Sequence, residues 1–138
     1  MSAAAARPMS LPMRVLSYSL SGILLSLTMA LILESAFSLH LVPAWLISIN
    51  IFTLIFYWID KINAAWVGDN AASEAEKLRI PEPALLLLAF VGGSPGAALA
   101  IVVLGHKKSK AGFLTLFGMV VVVQILLVYL YRDQLPWP

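Results

Sequence analysis

The sequence predicts an all-α integral membrane protein with four apolar helical segments, the third broken by the residues GGSPG. Three observations carry this. Of 138 residues, 61% are hydrophobic and only 12% charged, whereas soluble domains sit near half and a quarter. The apolar residues gather into four runs, 15–37, 43–59, 84–104 and 113–131, each close to the roughly 20 residues that cross a hydrocarbon core as helix. Nearly all the charges lie between or beyond those runs. No water-soluble core of this size hides so much apolar surface, and the length suits one membrane domain. The chain has no cysteine, which excludes disulfides, thiolate metal sites and a cysteine nucleophile.

Residues 1–14 form a basic, Ala-rich tail with Arg7 and Arg14 and no acid. The run that follows is longer than the apolar region of a signal peptide, and Glu34-Ser35-Ala36-Phe37 is a poor cleavage site. It reads as an uncleaved anchor with the N-terminus cytoplasmic. A short link to Pro43, a residue suited to a first helical turn, makes the first two spans antiparallel neighbours. Trp45, Tyr57 and Trp58 near the ends of the second span match interfacial aromatic positions.

Residues 60–83 are the one long polar loop, with net charge −2. Ser73 and Glu76 have the spacing of a capping box for a short surface helix. Pro83 suits the start of the next helix, where Glu82 would face the positive end of its dipole. The broken third segment occupies 84–104, a basic loop 105–112, and the last span 113–131.

The break allows two topologies. Gly92, Gly93 and Pro95 disfavour continuous helix, and each half is long enough to reach about mid-depth and return. Alternatively, Gly92 and Gly96 form a GxxxG packing surface on one kinked span. Four crossings leave six Lys and Arg on the N-terminal side and three opposite, whereas a re-entrant hairpin gives eight against one. The positive-inside rule prefers the hairpin.

Several short motifs occur in order. They are Tyr57, Asp60 and Lys61, then Arg79-Ile80-Pro81-Glu82, the leucines at 85–88, Gly92-Gly93-Ser94-Pro95-Gly96-Ala97, and His106-Lys107 with Lys110 and Phe113. The chain resembles, over about residues 50–130, the small bacterial membrane proteins grouped as domain of unknown function 1294. The resemblance implies a multi-span inner-membrane protein with no assigned activity. Some members of that family carry an N-terminal cold-shock domain, whereas here a first span occupies that end. The acidic loop before Arg79 is longer than the family's, and Gly105 stands where an arginine commonly precedes His-Lys.

Asn50, Thr53, Tyr57, Asp60 and Ala64 recur at steps of three and four, one face of a helix. They either line a polar pocket ending at Asp60 or pack on other helices, with Asn50 bonding across to Gln124. Glu34 lies about a turn from a polar link and reads as a solvated acid. If the third segment is a hairpin, Asp60, Lys61, Arg79, Glu82, His106, Lys107 and Lys110 converge on one interfacial cluster. No metal-ligand spacing, phosphate-binding loop or catalytic triad motif is present, so no metal and no cofactor is expected. The basic cluster lacks the aromatic platform of a nucleic-acid binder.

These residues support a non-enzymatic accessory subunit or lipid-contacting scaffold of a larger membrane assembly. The expected partners are membrane lipids and a membrane complex or second copies of the chain, with no nucleic acid. The alternatives are an enzyme or transporter for a lipid-linked or anionic substrate, and a membrane anchor for nucleic-acid-associated proteins.

Overall fold

A computed structural model describes residues 9–67, 79–105 and 110–136. Helix α1 (Leu11–Phe37) carries Pro12 in its first turn and ends where Ser38 turns left-handed, φ 53°. Helix α2 (Leu41–Val67) follows after three residues, so the two run antiparallel, as the short link requires. Both extend past their apolar runs. Asp60 and Lys61 therefore belong to α2 and not to a loop. Each helix is 27 residues long, about 40 Å at 1.5 Å per residue, enough to cross the hydrocarbon and emerge.

The face of α1 turned inward is made of Ser19, Gly22, Ser26 and Ala30. Their steps of three and four form a stripe of small side chains, which lets backbones approach closely. A Cβ on Gly22 would sit 2.6 Å from Leu88 Cδ2. Ser26 folds its hydroxyl back onto the Gly22 carbonyl at 2.7 Å, and on α2 Ser48 does the same to Ala44 at 2.8 Å. Both hydroxyls are thus satisfied inside their own helices.

The third apolar segment is helix α3 (Glu82–Leu88), a π-helical turn at Ala89–Gly93, and helix α4 (Ser94–Val103). It is bent back on itself. At its start, the Ile80 N–H donates to Asp60 Oδ1 at 2.9 Å. At its end, Lys61 Nζ donates to the Leu104 carbonyl. Adjacent residues of α2 therefore hold both ends of the segment. Its middle meets α2 farther down: Asn50 Nδ2 donates to the Gly92 carbonyl at 3.0 Å, and the Gly96 N–H donates to Asn50 Oδ1 at 2.6 Å. From Asp60 to Asn50 is ten residues of helix, about 15 Å, or half a hydrocarbon core. The segment is a helical hairpin, and its tip at Val91 reaches Trp45, 15 residues or about 22 Å from Asp60 along α2. Four helical stretches are long and apolar enough to cross, but this one returns.

Helix α5 (Ala111–Tyr131) is the least enclosed, with Phe113 its one buried residue. Phe113 meets Tyr57 edge-on, ring centroids 6.2 Å apart. The core lies between α2 and the hairpin, where Ile49, Tyr57, Ala84, Leu85, Leu88, Ala97 and Ala100 are fully buried. The molecule is a small multi-span membrane protein in which a hairpin is cradled by longer helices.

Candidate functional site

Two polar layers surround the hairpin. The deeper one serves its break. Ala89 to Gly92 lie where the regular i to i−4 ladder is interrupted, with Gly92 at φ 121°, a conformation that side chains with a Cβ rarely adopt. Backbone groups freed at membrane depth must find partners within the protein. Here the side chains of three elements supply them. Gln124 Nε2 donates to the carbonyls of Ala89 at 2.8 Å and Phe90 at 2.6 Å. Trp45 Nε1 donates to Val91 at 3.1 Å, and Asn50 reaches Gly92. Ser94 donates to Ala89 at 3.0 Å and also contacts Gln124 Oε1.

This corrects one expectation. Asn50 and Gln124 do not bond to each other; each turns to the hairpin. The freed carbonyls make the stronger demand, because two amides can find other partners but an interrupted backbone cannot. Trp45, four residues into α2, has a further role: its indole N–H is a backbone partner at the hairpin tip. Its role was not visible in the sequence, where a tryptophan near a span end has a simpler explanation.

The glycines also differ from a GxxxG face. Gly92 and Gly96 lie on either side of the break, not one turn apart on one helix. Gly96 abuts the Asn50 backbone, and Gly93 abuts the Thr53 side chain and the Leu88 carbonyl. A Cβ on either would overlap those atoms, so both glycines set how closely the hairpin approaches α2. Pro95 sits in the first turn of α4, where its missing N–H has no intrahelical partner to lose.

The shallower layer is a charged clasp at the open end of the hairpin. Asp60 is fully buried, and besides the Ile80 N–H its other oxygen faces Arg79 at 3.8 Å. Arg14, from the start of α1, donates to the Arg79 carbonyl. Lys61 caps the end of α4 through Leu104. Lys110 pairs with Glu82 at 2.5 Å, both partly exposed. Asp60, Lys61, Arg79, Glu82 and Lys110 thus share one end of the molecule. His106 and Lys107 lie outside the described residues, as do Ser73 and Glu76. Arg14 was not among the expected cluster; its basic context reads equally as a topology signal.

The stripe of Asn50, Thr53, Tyr57 and Asp60 faces the hairpin, with the last three fully buried. It is a packing face rather than a pocket wall. Among the described residues no three His, Asp or Glu side chains group to hold a metal ion. Chemically, the arrangement presents donors to backbone carbonyls at depth and matched charges at the rim.

Residues 50–113 match the family model described as protein of unknown function (DUF1294). That stretch holds most of α2, the whole hairpin and the start of α5. No curated protein and no solved structure was found to match the chain.

Proposed function

The chain belongs, through residues 50–113, to the DUF1294 family, and on that premise we propose that it is a non-enzymatic accessory subunit or scaffold of a larger membrane assembly. It would sit in a bacterial inner membrane with its N-terminus and charged clasp in the cytoplasm. One observation carries the reading: Asn50, Gln124, Asp60 and Lys61 are all engaged with the backbone of the hairpin. They hold an element in place and do not converge on an open cleft. Helix α5 is the surface for a partner. It is anchored at Phe113 and Gln124 and leaves Met119, Val122, Ile125 and Leu126 more than half exposed.

A single cysteine at Val122 in the otherwise cysteine-free chain tests this at native expression. Membrane-permeant crosslinking should shift the protein into one discrete larger species, which survives mild-detergent extraction. An uncrosslinked monomer in both measurements overturns the proposal. The gathering of Asp60, Arg79 and Glu82 favours a second reading, an interfacial site for an anionic or lipid-linked substrate. It predicts that Arg79→Ala abolishes a phenotype at unchanged protein level and unchanged assembly.

A further inference from the structure

Two cations of the clasp face a carboxylate: Arg79 faces Asp60, and Lys110 pairs with Glu82. Lys61 differs. Its ammonium donates to the Leu104 carbonyl, a neutral group, and no carboxylate among the described residues pairs with it. An ammonium has three N–H donors, so two remain after the hairpin has taken one. Its charge is unmatched, and the residue is exposed.

The place of Lys61 on α2 says what reaches it. To one side lie Tyr57 and Asp60, buried against the hairpin. To the other side runs an outward stripe of Ile62, Trp58, Ile55, Ile51 and Ile47, each 37–55% exposed. Their steps of three and four keep them on one helix face. Trp58 is three residues below Lys61, about 4.5 Å, and an indole suits the headgroup level. Ile51 is ten residues below, about 15 Å, the thickness of one leaflet's hydrocarbon. The face therefore offers an unmatched cation at the rim and an apolar strip one leaflet long beneath it. An anionic phospholipid complements both; in a zwitterionic one, the headgroup's own cation competes for the phosphate. We infer that an anionic phospholipid binds this face of α2, its phosphate accepting from Lys61 and an acyl chain lying along Trp58, Ile55 and Ile51. The same ammonium holds the end of the hairpin at Leu104, so the bound lipid fixes that end too. The site is separate from α5 and does not depend on the accessory-subunit reading.

The test titrates the purified full-length protein by native mass spectrometry with palmitoyl-oleoyl phosphatidylglycerol and with palmitoyl-oleoyl phosphatidylcholine. The wild type should bind the first phosphatidylglycerol about five-fold more tightly, the size of one basic residue's attraction to an anionic membrane surface. Lys61→Gln keeps a donor for the Leu104 carbonyl and should bind both lipids alike. Arg132→Gln removes the same charge from the opposite end and should keep the wild-type preference. A wild type without preference overturns the inference, whatever the variants do. So does an equal loss of preference in Arg132→Gln, which would make net charge alone the cause. A large molar excess of inorganic phosphate, or of glycerophosphoglycerol without acyl chains, should not displace the lipid; displacement by either would make the site one for a soluble anion and overturn its assignment to lipid.

Discussion

Replacing Asn50 by leucine removes a side chain of nearly the same shape and leaves the hairpin break short of partners. Asn50 Nδ2 serves the Gly92 carbonyl, and its Oδ1 receives the Gly96 N–H. Two backbone groups are orphaned where neither water nor helix can replace the amide. An orphaned buried polar group costs about 1–3 kcal/mol, giving about 2–6 kcal/mol for the pair. Hydrogen bonds between membrane helices average about 0.6 kcal/mol, which sets a floor near 1 kcal/mol. The close packing of Gly93 and Gly96 on α2 prevents easy rearrangement, so a loss of about 2–4 kcal/mol is expected. Unfolding in rising mole fractions of sodium dodecyl sulfate, followed by circular dichroism, measures it. Gln124→Leu acts on the Ala89 and Phe90 carbonyls, so the double variant should be less stable than either single one. If Asn50 and Gln124 bonded mainly to each other, leucine at both positions would restore an apolar contact. A double variant as stable as wild type, or an Asn50→Leu loss below about 0.5 kcal/mol, would refute the reasoning.

Three further predictions concern the hairpin and its clasp. Gly93→Ala should lower stability, because its Cβ meets the Leu88 carbonyl at 2.6 Å, whereas Gly118→Ala has open space around it and should raise helix stability by up to about 1 kcal/mol; thermal melts of the two variants in detergent check the contrast. Asp60→Asn keeps an acceptor for the Ile80 N–H and should be milder than Asp60→Leu, which orphans that N–H and leaves Arg79 without its carboxylate, a loss of about 2–4 kcal/mol measurable by the same unfolding assay. Single cysteines in place of Glu82 and Lys110 should react with a membrane-impermeant maleimide from the same face of sealed vesicles; labelling from opposite faces would show that the segment crosses.

Much of this architecture is legible residue by residue. The length of the apolar runs and the clustering of charge announce spans, because a helix satisfies its own backbone in lipid. The GGSPG interruption marks a break, since glycine and proline weaken the ladder locally. Asp60, Lys61, Arg79, Glu82 and Lys110 were readable as a cluster on one condition, that the broken segment returns. The bond from Trp45 to Val91 and the separate partners of Asn50 and Gln124 were not readable. Both depend on carbonyls that are free only because the chain turns at Gly92.

The sequence by itself determined the solvent of this protein, the number of its apolar segments and the site of the break, because hydropathy and backbone propensity act over neighbouring residues. Tertiary structure alone decided that the broken segment is a hairpin, that Arg14 joins the clasp, and that Asn50 and Gln124 both turn to the hairpin break. Those outcomes rest on which distant groups meet, as when Asp60 and Lys61 hold the two ends of one segment. Spacing along a chain places residues on a helix face, but only packing decides what that face meets.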